Sequence, residues 1–238
     1  TITVNPTPTI EDIDQEICTG SGISITPTVG TIPAGTTYSW DAPTSSPLGA
    51  ITGGTSGTNE TIIAESELLN STNSPAILTY SVTPTTPDGC TSSDPFIVSV
   101  TVNPLGQVDN PGDQEFCNND NIIINFTTEN TDGDTTFEWT NTNSAIGLSN
   151  SGTGNLNVTA TNTTNEPITS TVTVTPSFEG CDGTPQSFTI TVNPSPQLND
   201  PSDQVIFTGE PTTAVTLTSS VNGVNFSWSA NEPTGNLI

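Results

Sequence analysis

Four cysteines and 25 carboxylates are the reactive inventory of this 238-residue chain, which has no Lys, Arg or His. Cys18 follows Asp14-Gln15-Glu16, and Cys117 follows Asp113-Gln114-Glu115 in the same way. Cys90 and Cys181 each come directly after a glycine. Thiols so placed suit disulfides, which implies export to an oxidising compartment. Metal ligation would call for Cys-x-x-Cys or nearby His, and neither occurs. Four cysteines allow three connectivities. The repeat of the pattern suggests one pair per copy, Cys18 with Cys90 and Cys117 with Cys181. Each would close a loop of about 70 residues, worth roughly 4 kcal/mol in the chain-entropy model.

The carboxylates gather between hydrophobic runs, at Glu11, Asp12, Asp14 and Glu16, then Asp109, Asp113 and Glu115, then Asp200 and Asp203. Such oxygens could hold calcium, which takes six to eight hard ligands. If the runs are domains, Asp12, Asp14, Asp109, Asp113, Asp200 and Asp203 would stiffen the joints between them. The plainer reading is a solvated edge that discourages aggregation. No spacing matches an EF-hand. Catalysis finds little support: a Ser nucleophile has no His or Lys base, and Gly53-Gly54-Thr55-Ser56-Gly57-Thr58 lacks the Lys of a phosphate loop. Phe178, in the turn before Cys181, is the one aromatic that stands outside the repeated pattern and could be an exposed contact.

What would position these groups is a set of β-strands. Phe188, Ile190 and Val192 alternate with Thr189 and Thr191, as Val98, Val100 and Val102 alternate with Ser99 and Thr101; a period of two means a half-buried strand. Turn signals such as Thr-Pro-Asp-Gly and Ser-Gly-Thr-Gly separate the runs. Only Glu65–Leu69 hints at helix. About seven short strands in about 90 residues make an antiparallel β-sandwich. The phrase Thr-Val-Asn-Pro recurs, ending at Pro6, Pro104 and Pro194, and an aromatic-x-Trp recurs at Trp40, Trp139 and Trp228. Units of this size are whole domains, not solenoid repeats. The divisions are the end of a preceding repeat at 1–6, repeats at 7–104 and 105–194, and a truncated third at 195–238. The fold class is all-β, tandem immunoglobulin-like sandwiches, with each Trp in a core. The third copy has Phe207 where the others have Cys18 and Cys117, so its second cysteine is expected to be missing as well.

The order of the Val-Asn-Pro, Asp-Gln, Cys, aromatic-x-Trp, Gly-Thr-Gly and Gly-Cys phrases resembles the PKD-like repeats of giant Bacteroidota surface proteins, notably the SprB-type gliding adhesins. The Trp-Asp-Phe-Gly-Asp-Gly signature of ordinary PKD domains is absent, since Trp40-Asp41 leads into Ala42-Pro43 and Trp139 into Thr140-Asn141. The resemblance implies an extracellular adhesin on the outer cell surface, exported by the type IX system and moved by gliding machinery. Its contact with a surface or polysaccharide would be made through other parts of the parent chain. Asp134-Thr135-Thr136 fits the short O-glycosylation pattern that the resemblance implies.

A net charge of −25 repels phosphate backbones and argues against nucleic acid. The longest apolar run, Ile122-Ile123-Ile124, is far too short to enter a membrane as a span. The expectation is thus a non-enzymatic stalk segment without an obligatory cofactor. Spacer domains of a secreted degradative enzyme and a glycan-binding module are the alternatives.

Overall fold

A computed structural model describes residues 4–207 and 209–229, and they are almost wholly β. Two sets of seven principal strands follow one another. In the first bead these are β1 (Ile13–Cys18), β2 (Ser21–Ile25), β3 (Thr37–Trp40), β4 (Gly57–Glu60), β5 (Ile63–Asn70), β6 (Ala76–Thr85) and β7 (Phe96–Asn103). In the second they are β8 (Gln114–Cys117), β9 (Asn121–Ile124), β10 (Thr135–Asn141), β11 (Ser151–Thr153), β12 (Leu156–Thr159), β13 (Ile168–Phe178) and β14 (Gln186–Asn193). Glu65–Leu69, whose pattern hinted at helix, lies in β5. Its burial alternates at Ile63, Glu65 and Leu68, with the neighbouring sheet deciding the outcome.

Each bead has a main sheet, ordered β1-β7-β6-β3-β4 in the first and β8-β14-β13-β10-β11 in the second. The smaller sheet pairs β2 with β5, and β9 with β12. All these pairs are antiparallel except β1 with β7 and β8 with β14, which are parallel. That exception governs the architecture. First and last strands run the same way, so the chain enters a bead at one pole and leaves it at the other.

The core follows from the period-two pattern. Ala76, Leu78, Tyr80 and Val82 of β6 and Phe96, Val98, Val100 and Val102 of β7 are buried, while the intervening side chains face out. In the second bead Val172, Val174, Phe188, Ile190 and Val192 do the same. Trp40 and Trp139 are each 7% exposed, and their indole N–H groups donate to the carbonyls of Thr55 and Gly154 at 2.8 and 3.1 Å. Gly57 and Gly152 stand opposite them in register. A Cβ on either glycine would come within 2.4 or 2.3 Å of the indole ring, so the glycine-rich phrase exists to let the ring lie flat against backbone.

The third copy differs from expectation. Its described residues form only one short pair, Leu198–Asn199 with Thr218–Ser219. Trp228 is 80% exposed and Phe207 is 84% exposed. Trp228 is therefore exposed and not buried in a core among the described residues.

Candidate functional site

The parallel first and last strands decide where each cysteine lies. Cys18 ends β1 beside Asn103, the last residue of β7, and Thr19 N–H donates to the Asn103 carbonyl at 2.8 Å. This is the exit pole of the first bead. Cys181 pairs with Phe178 in the hairpin after β13, at the entry pole of the second bead. There its carbonyl accepts the N–H of linker residue Gly106 at 2.9 Å. The two poles meet, and Cys18 and Cys181 form a disulfide with a Cα–Cα distance of 5.5 Å.

This corrects the pairing within each bead. Cys90 lies in the turn after β6, where its carbonyl accepts the Thr86 N–H at 2.9 Å. That is the pole opposite Cys18. The strand between the poles has 10 residues, or roughly 30 Å, whereas a disulfide needs Cα atoms within about 7 Å. Cys117 and Cys181 are separated along the second bead in the same way. Cys90 and Cys117 are free thiols, the first half-buried and the second exposed.

Around the disulfide the joint is fixed by hydrogen bonds. Thr131 N–H donates to the Asn73 carbonyl at 2.9 Å, and the Gln107 amide to Asn73 Oδ1 at 2.8 Å. Asn130 holds the linker, accepting from Gln107 N–H at 2.7 Å and donating to the Leu105 carbonyl at 3.1 Å. Asn73 itself is presented by Asn70, whose amide donates to Ser74 and Val102 carbonyls at 2.8 and 2.7 Å while its oxygen accepts Thr72 N–H. Asn162 repeats the arrangement with Glu166, Val192 and Thr164. Although both read as Asn-x-Thr sequons, the Asn162 amide is buried and engaged.

The carboxylates do not meet at the joint. The Asp-Gln-Glu phrase is a strand running along the bead, not a linker. Asp12 accepts Ile97 N–H at 2.7 Å and Asp113 accepts Thr189 N–H at 2.8 Å. That backbone hydrogen bond holds the Asp113 carboxyl below its ordinary value. Asp14 sits in register with Ser99, and Asp109 accepts the Thr127 hydroxyl at 2.6 Å. Glu16 and Glu115 accept the amides of Asn103 and Asn193, tying first strand to last. Asp200 and Asp203 are exposed in the third segment. Among the described residues no three acidic or thiol side chains converge as metal ligands. Phe178 is fully buried and so is no contact residue.

One buried polar set belongs to the first bead alone. Glu65 accepts from Thr55 N–H at 2.8 Å, the Thr55 hydroxyl at 3.0 Å and the Tyr80 hydroxyl at 3.2 Å. Burial and the adjacent Glu65 carboxylate push the Tyr80 phenol far above its ordinary value.

A family model described as a PKD-like domain matches residues 15–106 and 114–196. The chain belongs to the PKD-like domain family. The two matches correspond to the two stapled beads. Among solved structures, human CDH23 EC21-23 aligns at 11% identity over 92% of this chain and 81% of that one, with a TM-score of 0.42. Mouse Cadherin-23 EC22-24 aligns at 14% identity over 92% and 80%, with a TM-score of 0.40. The chain matches no curated protein sequence. Tandem PKD-like domains and a disulfide point to an extracellular protein. No helix of the described residues is long and apolar enough to cross a membrane.

Proposed function

We propose that this chain is a stalk segment of a long, repetitive cell-surface adhesin. The observation that carries the reading is the covalent joint: Cys18 of one PKD-like bead bonded to Cys181 of the next. A bead that acts alone does not need its pole bonded to a neighbour, whereas a filament that transmits tension does. The parallel first and last strands support the same reading. They bring the chain in at one pole of a bead and out at the other, in line with a filament axis.

The functional residues are on this account structural, and the segment has no catalytic role. Its −25 charge keeps neighbouring filaments apart. The absence of Lys and Arg leaves no trypsin-type cleavage site. The resemblance in the repeated phrases narrows the setting to gliding Bacteroidota, with export by the type IX system and display on the outer surface. Contact with a substratum or polysaccharide would fall to other parts of the parent chain. Antibodies raised against residues 7–194 test the reading. They should label intact cells of the source organism and reduce attachment or gliding. Labelling confined to permeabilised cells, or to a secreted enzyme in the medium, would contradict it.

A further inference from the structure

The staple between the beads leaves two cysteines over, and their positions say what they are for. Cys117 ends β8 at the exit pole of the second bead, in register with Asn193, as Cys18 ends β1 in register with Asn103. Cys90 occupies the hairpin turn at the entry pole of the first bead, as Cys181 does in the second. Each bead thus carries a cysteine at either pole, and the one joint between two complete beads shows an exit-pole cysteine bonded to an entry-pole one.

We infer that Cys117 and Cys90 are the open ends of a serial chain of cross-joint disulfides. Cys117 takes the Gly-Cys hairpin of a PKD-like bead seated on the exit pole, and Cys90 takes the first-strand cysteine of a bead seated on the entry pole. The inference goes beyond the stalk reading and does not depend on what the filament adheres to.

Several fittings of the joint recur at the exit pole of the second bead, although Pro196 stands where Gly106 donates its N–H to Cys181, so that one linker contact does not recur. Asn165 stands three residues after the Asn162 tie, as Asn73 stands after Asn70, and it is exposed. Gln197 follows Asn193 at the spacing that separates Gln107 from Asn103. Asn118 N–H donates to the Asn193 carbonyl at 2.8 Å, matching Thr19 and Asn103. Three of the polar groups that flank Cys18, counterparts of Asn73, Gln107 and Thr19, are thus present around Cys117. Phe207 gains a meaning as well. With pairing across joints, Phe207 leaves the third segment without a cysteine at the position of Cys18 and Cys117. It has no bearing on the partner of Cys117.

Bond formation requires a disulfide donor of the dithiol-oxidase or glutathione-disulfide class. The Cys117 thiolate attacks the donor, giving a mixed disulfide and releasing one donor sulfur as thiol. The partner thiolate then attacks the Cys117 sulfur and releases the second. Two electrons and the two cysteine protons end on the donor, and one S–S bond is exchanged for another.

Two copies of residues 7–194 placed in series test this. Joining Pro194 to Thr7 gives Asn-Pro-Thr-Pro at the splice, close to the natural Asn193-Pro194-Ser195-Pro196. Cys90→Ser in the leading copy and Cys117→Ser in the trailing copy leave a single new pair. Non-reducing peptide mapping of the monomeric species is expected to show Cys117 of the leading copy joined to Cys90 of the trailing one, with Cys18–Cys181 in both. Two free thiols beside intact Cys18–Cys181 bonds would overturn the inference, and so would loss of the Cys18–Cys181 pairing itself.

Discussion

At the residue scale, the repeated words of the sequence prove to be ties rather than reactive groups. Glu16 and Glu115 bind Asn103 and Asn193, which explains why Asp-Gln-Glu and Val-Asn-Pro recur together. The glycine facing each Trp is equally specific in purpose. Gly57→Ala and Gly152→Ala are each expected to destabilise their bead by about 1–3 kcal/mol, as overpacking against a rigid ring does. Chemical denaturation measures this, and wild-type midpoints would refute the assigned contact. Asn162→Ala removes a buried amide and leaves the Val192 and Glu166 carbonyls without that partner. The expected loss is about 2 kcal/mol. The Trp role was legible in the sequence at Trp40 and Trp139, because an aromatic-x-Trp in a strand signals a core. It failed at Trp228, which is exposed although it carries the same aromatic-x-Trp phrase.

At the level of elements, the strand pattern was readable because alternating Val, Ile and Thr fixes both state and face. The parallel pairing of β1 with β7 was not. Nothing in local periodicity distinguishes a linker from an edge strand, so the acidic phrase is compatible with both. Once β1 is a strand along the bead, the carboxylates are dispersed along it and Cys18 moves to the pole opposite Cys90. The two beads also differ in one buried element. Phe137 and Val172 occupy the register positions of Tyr38 and Tyr80, so only the first bead buries phenols. Both phenols are pushed above their ordinary value of 10.0, chiefly by burial. Below that value folded and unfolded chains are both protonated, and the contribution to stability is intact. As pH rises further the unfolded chain ionises first, so the first bead loses stability. Tyr80→Phe should flatten the fall in its unfolding midpoint above about pH 10, with the second bead unaffected. An unchanged alkaline profile in the variant would show that Tyr80 is not its source.

For the whole molecule, the disulfide reroutes tension. Force entering at the start of β1 reaches Cys18, crosses to Cys181 and leaves through β14, so the chain between them is bypassed. The bond encloses a sequence separation of 163 residues, for which the chain-entropy model gives roughly 5 kcal/mol. In single-molecule pulling from both ends, reduction should release about 570 Å of additional extension, at about 3.5 Å per residue. Equal contour lengths with and without reductant would mean that the bond is not in the load path. The central claim is the cross-joint staple, and peptide mapping of the oxidised protein tests it most directly. Cleavage after glutamate places the four cysteines on separate peptides, 17–60, 68–115, 116–129 and 180–238, because Pro211 and Pro233 protect the bonds after Glu210 and Glu232. The account predicts that 17–60 is recovered joined to 180–238, with Cys90 and Cys117 alkylated as thiols. Recovery of 17–60 joined to 68–115, and of 116–129 joined to 180–238, would contradict it.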